Sequence, residues 1–292
     1  MSVVLVHGIW NRQQGMTAQE AAAGLARQAR PQLERGLAAA GLGHLAVPEV
    51  VMAYYAHLLT DGPQERQDGE EDGLDRLSER ELAEVWEWLT LAGVPGPEEA
   101  QAVLLAPVRQ ALGWLVRARA GGGAASRARQ ELMARLSRLV VATVRETAAY
   151  TSLPERRRAV RELLADTIRT HRPRVVVAHS LGSVVAYETL HAFPELEVEL
   201  LVTLGSPLGL PALFRQLEPG PLDGRGARPA GVGRWVNIAD AGDLVALPPE
   251  LGGLFPVDSH GRTDIGFWDP HTLGGYLANG LTGAAIAPYV TS

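Results

Sequence analysis

The 292-residue sequence contains no cysteine and no lysine, so all 27 of its strongly basic side chains are arginine. Without cysteine the chain has no disulfide, no thiolate metal ligand and no thiol nucleophile. Without lysine it has no Schiff base, no serine–lysine dyad and no phosphate-loop lysine, so the glycine run at 121–123 is not a nucleotide-binding loop. The lack of disulfides fits a cytoplasmic protein.

The chain also lacks an excess of positive charge and a long apolar run. Its net charge is −6 at neutral pH, which gives no basic field to attract nucleic acid. No run of about 18 apolar residues is present to span a membrane, and the N-terminal residues have no secretion-signal pattern. Its 46% hydrophobic and 21% charged residues are typical of a globular protein. We expect one cytoplasmic domain over residues 1–292, without a nucleic-acid partner or a transmembrane segment.

The segment 174–183, R-V-V-V-A-H-S-L-G-S, has the pattern of a strand, a sharp turn and a helix, with Ser180 at the turn. Strand and helix approach so closely in such a turn that the positions two before and two after the serine must be small, and Ala178 and Gly182 meet this demand. The turn lifts the serine hydroxyl clear of the sheet and points the N–H of Leu181 at the same space. The pattern favours a nucleophile over its alternative, a buried strand that ends in a polar turn.

Strand and helix patterns alternate on both sides of this segment. The predicted strands cover residues 2–6, 47–55, 175–177, 199–204, 233–239 and 263–267. Helices are predicted over 17–40, over 153–171, from 183 and from 272, and the first begins with a capping box formed by Thr17 and Glu20. Helices between strands imply a parallel sheet. We therefore expect an α/β fold with a mostly parallel sheet of about six strands, flanked by helices.

Residues 61–150 carry no strand pattern and form a predicted helical insert within the domain. The acidic, glycine-rich part at 61–73 is predicted to be a solvated loop, since its ligand spacing is wrong for calcium. Helices with apolar stripes are predicted over 79–91, 97–118 and 126–150. These stripes can pack on one another or cover the site as a lid, with Trp86, Trp88 or Trp114 as part of a wall. A remote buttress or a partner surface is the alternative.

Several polar turns follow predicted strands, and the carboxyl ends of parallel strands meet at one edge of a sheet. The turn at 7–10, H-G-I-W, follows the first strand. Its glycine lets the backbone bend sharply, so that the N–H groups of Ile9 and Trp10 can face the mouth of the sheet. Such donors are what an acyl-transfer enzyme needs where oxyanion charge develops.

A serine hydroxyl needs an adjacent base, and an imidazole oriented by a carboxylate supplies one. Two histidines near the C-terminus compete for this role, and the position after the last predicted strand favours His271 over His260. Two aspartates compete for the carboxylate. Asp240 directly follows a strand and suits the closing of a turn, whereas Asp243 lies farther along the loop, where it can reach the histidine.

The candidate residues occur along the chain in the order serine, aspartate, histidine, and in this the sequence resembles the α/β-hydrolase family. The A-H-S-L-G segment at 178–182 and the V-H-G-I segment at 6–9 are similar to those of small bacterial lipases and esterases. The G-D-L-V run at 242–245 resembles their acid loop, and the His-x-x-x-x-Tyr-Leu run at 271–277 resembles their histidine loop. Ala178 departs from the usual glycine. The sequence starts at the oxyanion strand, without the first two strands of the full fold, which implies a minimal sheet.

The resemblance implies a catalytic set. In this set Ser180 is the nucleophile, His271 is the base and Asp243 is the acid. The backbone N–H groups of Ile9 and Leu181 are the oxyanion donors. Trp10 and His179 lie beside these in the sequence and are candidate substrate contacts, whereas His7 is expected to be structural or to line the mouth.

The activity implied is hydrolysis of a carboxylic ester of a small-molecule acyl substrate through an acyl-serine, with no metal and no cofactor. The same residues suit an amidase or peptidase, a thioesterase or an acyltransferase. A binding module on a hydrolase scaffold is the non-enzymatic alternative.

Overall fold

A computed structural model describes residues 2–59, 73–95, 105–120, 126–266 and 269–290. Six strands form one sheet, in which each neighbouring pair runs parallel. They are β1 (Ser2–Val6), β2 (Glu49–Ala53), β3 (Val175–His179), β4 (Val198–Leu204), β5 (Val232–Asp240) and β6 (Ser259–Thr263). The order across the sheet is β2-β1-β3-β4-β5-β6. The predicted α/β fold, with a parallel six-stranded sheet flanked by helices, is confirmed.

The helices are α1 (Ala18–Ala39), α2 (Glu79–Leu91), α3 (Leu105–Ala120), α4 (Ser126–Thr151), α5 (Pro154–His171), α6 (Leu181–Ala192), α7 (Pro211–Phe214), α8 (Leu273–Leu277) and α9 (Gly280–Val290). Helix α1 begins with the predicted capping box, in which Thr17 accepts from the N–H of Glu20 and Glu20 accepts from the N–H of Thr17. No helix in the described ranges is long and apolar enough to cross a membrane.

The central strands of the sheet are buried and mostly apolar. Every residue of β1 and of β3 is buried, as expected for short valine-rich strands of a parallel sheet. Val6 of β1 pairs with Ala178 of β3, and His179 pairs with Leu204 of β4. These three strands therefore end level, and the turns that follow them lie side by side at one edge.

The last strand was wrongly predicted at 263–267, because β6 covers Ser259–Thr263 instead. Its sequence, S-H-G-R-T, has no apolar alternation. An edge strand pairs on one side only, so β6 is held by its backbone bonds to β5 rather than by a buried face. As a result His260 lies within the strand. Phe267 is outside the described residues.

The chain divides into two compact units, Met1–Thr60 with Ala149–Ser292, and Asp61–Ala148. In the second unit α2 begins with a capping box at Ser78 and Glu81, and it buries an apolar stripe that contains Leu82, Val85, Trp88 and Leu89. Trp86 is half-buried and Trp114 is exposed. Residues 61–72 of the acidic loop predicted at 61–73, the start of the second predicted helix (at 97–104) and the glycine run lie outside the described residues. The lid stays a prediction.

Candidate active site

Ser180 occupies a strained position between the end of β3 and the start of α6. Its φ of 53° and ψ of −130° lie in a region that residues other than glycine rarely adopt, and such a conformation costs about 1–3 kcal/mol. The backbone is fixed from both sides, since the N–H of Ser180 donates to the Leu204 carbonyl (3.0 Å) and the Ser183 hydroxyl donates to the Ser180 carbonyl (2.6 Å). The surrounding structure thus holds a serine where glycine would be relaxed.

Two glycines allow this turn to pack directly on the end of β1. A Cβ atom on Gly182 would lie 2.4 Å from the carbonyl oxygen of His7, and one on Gly8 would lie 2.5 Å from the Cβ of Ser180. Both distances are far below van der Waals contact, so only glycine fits. Ala178 is fully buried opposite Val6, where its methyl group is accommodated.

A second pair of buried serines supports the turn, and sequence reasoning missed it. The hydroxyl oxygens of Ser183 and Ser206 are 2.7 Å apart, and Ser206 accepts from the N–H of Leu208 (3.3 Å). Because the Ser183 hydroxyl donates its proton to the Ser180 carbonyl, the Ser206 hydroxyl must be the donor to Ser183. The chain of bonds ties the segment after β4 to the Ser180 backbone.

His271 joins Ser180 to Asp243 through its two ring nitrogens. Its Nε2 lies 2.8 Å from the Ser180 hydroxyl oxygen, and its Nδ1 lies 2.8 Å from Oδ2 of Asp243. A carboxylate can only accept, so Nδ1 carries the proton and Nε2 is free to accept from the serine. All three residues are buried, with at most 6% of their surface exposed. The structure therefore brings these three predicted site residues together in one hydrogen-bonded chain.

The two aspartates that the sequence left in competition have different partners. Asp243 accepts from the N–H of Val245 (2.9 Å) as well as from His271. Asp240 accepts from the N–H groups of Gly242 and Ile265 (2.6 Å each), and burial raises the pKa of its carboxyl group. Asp240 thus closes its own turn, while Asp243 faces the imidazole.

The competing histidine, His260, lies away from the serine. It sits on β6 opposite Asn237 of β5, and its Nδ1 accepts a long hydrogen bond from the N–H of Leu251 (3.4 Å). This location follows from the position of β6, which sequence patterning did not find.

The predicted oxyanion donors sit in two neighbouring turns. Leu181 is the first residue of α6, where N–H groups have no partner within the helix and the helix dipole favours negative charge. The turn that contains Ile9 is fixed by Asn11, whose side-chain amide donates to the carbonyls of Gly8 (3.1 Å) and Ile9 (2.8 Å). The donor role of both N–H groups stays a prediction.

His7 supports the turn at 7–10 as a neutral, buried side chain. Its Nε2 accepts from the N–H of Tyr55 (3.1 Å), so its Nδ1 carries the proton and donates to the Gly8 carbonyl (2.8 Å). The Tyr55 hydroxyl donates back to the His7 carbonyl (2.8 Å), and the two rings stack. Burial lowers the pKa of His7 to about 4. These contacts fit the structural alternative for His7.

The two candidate substrate contacts differ in exposure. Trp10 is 51% exposed and has a positive φ of 61°. His179 is buried, with its ring centroid 4.8 Å from that of His271. Burial, and then the neighbouring His271 and His7, hold the pKa of His179 well below its usual range. His179 therefore packs against His271 instead of lining the surface, and substrate contact by either residue stays a prediction.

Within the described part of the chain, no group of three or more His, Cys, Asp or Glu side chains could hold a metal ion. Comparisons with protein-family models, with curated proteins and with solved structures found no match to this chain. The parallel six-stranded sheet with flanking helices is compatible with the α/β-hydrolase architecture.

Proposed function

We propose that this protein is a serine hydrolase of the α/β-hydrolase type that cleaves a carboxylic ester through an acyl-serine intermediate. The observation that carries the proposal is the hydrogen-bonded chain from Ser180 through His271 to Asp243. It lies at the edge where parallel strands end, which is where ligands bind in open α/β sheets. The strained backbone of Ser180 adds support, because strain of this kind concentrates at functional sites.

The geometry suits a two-step acyl transfer. In the first step His271 Nε2 takes the proton of the Ser180 hydroxyl as its oxygen attacks the ester carbonyl carbon. The carbonyl oxygen becomes an oxyanion, which the N–H groups of Ile9 and Leu181 would bind. The bond to the leaving alcohol then breaks, and the imidazolium of His271 gives its proton to the alcohol oxygen.

In the second step a water molecule replaces the alcohol. His271 takes a proton from this water, whose oxygen attacks the acyl carbon. The bond from that carbon to the Ser180 oxygen then breaks, and the imidazolium of His271 returns its proton to the serine oxygen as the acid leaves. Asp243 keeps the imidazole in the tautomer that leaves Nε2 free, and its charge stabilises the imidazolium in both steps. Burial of the three side chains strengthens these charge interactions.

A fluorophosphonate probe tests whether Ser180 is a reactive nucleophile. We expect one covalent adduct per chain, mapped by peptide mass spectrometry to Ser180, and no adduct in Ser180→Ala. His271→Ala should label far more slowly, because the hydroxyl then lacks its base. Absence of labelling in the wild-type protein would contradict the proposal and favour the binding-module alternative.

A matched substrate panel then distinguishes the chemical classes. An ester, an amide and a thioester of the same acyl group, each assayed with and without an alcohol acceptor, should show the ester hydrolysed with the highest kcat/KM. A preference for the amide or thioester, or for transfer to the alcohol, would replace the ester with that alternative and keep the nucleophile.

A further inference from the structure

Tyr276 is a fully buried tyrosine whose hydroxyl contacts the candidate acid directly. It lies on α8, five residues beyond His271. Its hydroxyl oxygen is 2.8 Å from Oδ2 of Asp243 and 2.8 Å from the backbone nitrogen of Asp240.

The direction of both hydrogen bonds follows from the groups involved. The backbone N–H of Asp240 can only donate, so it uses the hydroxyl oxygen of Tyr276 as acceptor. The Asp243 carboxylate can only accept, so the hydroxyl proton of Tyr276 points to it. Burial, and then the charge of Asp243, raise the pKa of Tyr276 far above its usual range, and the hydroxyl therefore keeps this proton.

The Asp243 oxygen that Tyr276 contacts is the one that contacts His271. Oδ2 lies 2.8 Å from the tyrosine hydroxyl and 2.8 Å from Nδ1 of the imidazole, while Oδ1 is used by the N–H of Val245. Two donors that share one oxygen divide its negative charge. The tyrosine therefore weakens the pull of Asp243 on a protonated His271 while it holds the carboxylate in place.

The end of β4 leaves space for this arrangement. A Cβ atom on Gly205 would lie 2.7 Å from Oδ2 of Asp243 and 2.8 Å from Cε2 of Tyr276. Gly205 also has a positive φ of 54°. A side chain at this position would displace the carboxylate, the tyrosine ring or both.

We propose that Tyr276 is a positioning residue that fixes the Asp243 carboxylate toward His271 and limits the basicity of the imidazole. This inference rests on the proposed function, in which His271 takes and returns a proton. Among the described residues, His179 of β3 also packs against the imidazole and is buried and neutral, and Asp240 faces the tyrosine from the end of β5.

Removal of the tyrosine hydroxyl has two separate consequences. The Asp243 carboxylate loses a competing donor, so its charge acts more strongly on the imidazolium and His271 becomes more basic. The buried N–H of Asp240 loses its acceptor, so the fold becomes less stable. A merely structural tyrosine would produce the second effect alone.

The test is an NMR titration of His271 in the Ser180→Ala background, which needs no catalysis. We expect Tyr276→Phe to raise the pH midpoint of the His271 ring signals by roughly one unit. Tyr150→Phe is the matched control, because Tyr150 is also buried and donates to a buried carboxylate, Glu188 (2.6 Å). This control should lower stability and leave the midpoint unchanged. An unchanged or lowered midpoint in Tyr276→Phe would overturn the proposal.

Site-specific 3,5-difluorotyrosine at position 276 replaces only two ring hydrogens by fluorine and keeps both hydrogen bonds, so it decides the question if Tyr276→Phe does not fold. Its stronger donor should lower the His271 midpoint, and an unchanged or raised midpoint would overturn the inference. In the protein that retains Ser180, the acid limb of the pH profile of kcat/KM for ester hydrolysis should move, for each variant, in the same direction as its His271 midpoint. If no ester is hydrolysed while the NMR midpoints move as expected, the proposed function fails and the positioning role stands.

Discussion

Nε2 of His271 lies 2.8 Å from the hydroxyl oxygen of Ser180, although 91 residues separate the two in sequence. Ser180 is placed by the turn after β3, and His271 by the segment between β6 and α8. Their hydrogen bond therefore depends on the assembled sheet and not on any local motif. Changes in the turns at the sheet edge should affect activity, while changes in remote contacts should affect stability alone.

Exchange of each aspartate for asparagine separates the candidate acid from the turn residue. Asp243→Asn should keep the fold and lower kcat about 10⁴-fold, because an amide favours the wrong imidazole tautomer. Asp240→Asn removes an acceptor for one of two N–H groups, so its main effect should be a stability loss of about 1–3 kcal/mol. Steady-state kinetics and urea unfolding measure both. If Asp240→Asn were inactive and Asp243→Asn were active, the roles of the two aspartates would be the reverse of those described.

Gly182→Ala tests the close approach of α6 to β1. The added methyl group would meet the His7 carbonyl oxygen at 2.4 Å, so we expect a loss of about 1–3 kcal/mol in the free energy of unfolding, together with reduced activity. Gly24→Ala in α1 is the control, because its Cβ would meet only the end of the Arg27 side chain at 3.9 Å. The control should be neutral or stabilising by up to about 1 kcal/mol. Equal stability of the two variants would contradict the packing described.

Stability should fall on mild acidification, partly because of His7. Burial lowers its pKa to about 4 in the folded protein, whereas in the unfolded chain it titrates near its ordinary value of 6.5. The unfolded state therefore binds more protons between these values, so the stability present above about pH 6.5 is lost as pH falls toward 4. From pH 7.5 to pH 5 the His7 contribution is about 2 kcal/mol.

Urea unfolding of the wild-type protein and of His7→Gln at several pH values isolates this contribution. The variant should be less stable at pH 7.5 but should show a smaller decrease toward pH 5. His179, also buried and neutral, adds to the decrease in both proteins. A pH dependence that is identical in the two proteins would contradict the assignment.

The buried ion pair of Arg157 and Glu188 should contribute to stability more than an exposed pair. Arg157 Nε donates to Glu188 (2.8 Å), and the side chain of Glu188 is fully buried. Arg157→Met leaves a buried carboxylate without its cation, and we expect a loss of about 3–5 kcal/mol. Arg158→Met breaks only the exposed pair with Glu162, for which the expected loss is below about 1 kcal/mol. Similar losses in thermal or urea unfolding would contradict the prediction.

Much of the fold could be predicted because its signals are local. The buried valines of β1 and β3, the capping box of Thr17 and Glu20, and the small residues around Ser180 each constrain a few neighbouring positions. The edge strand β6 could not be found in this way, since its polar sequence has no apolar alternation and its place in the sheet is set by backbone bonds to β5.

The part of the site that sequence reasoning missed consists of contacts between distant segments. Tyr276 reaches Asp243 from α8, and Ser206 reaches Ser183 from the turn after β4. Neither contact has a spacing that a motif could reveal, because each depends on which strand ends are neighbours. The only hint was the position of Tyr276 in the His-x-x-x-x-Tyr-Leu run.

The central claim, that Ser180 and His271 act together in catalysis, is tested most directly by a double-mutant comparison on a p-nitrophenyl ester. Ser180→Ala, His271→Ala and the double variant should each lose several orders of magnitude in kcat, and the double variant should lose little more than either single one. All three should retain the wild-type circular dichroism spectrum. Substantial activity in Ser180→Ala, or losses that simply multiply in the double variant, would contradict the account.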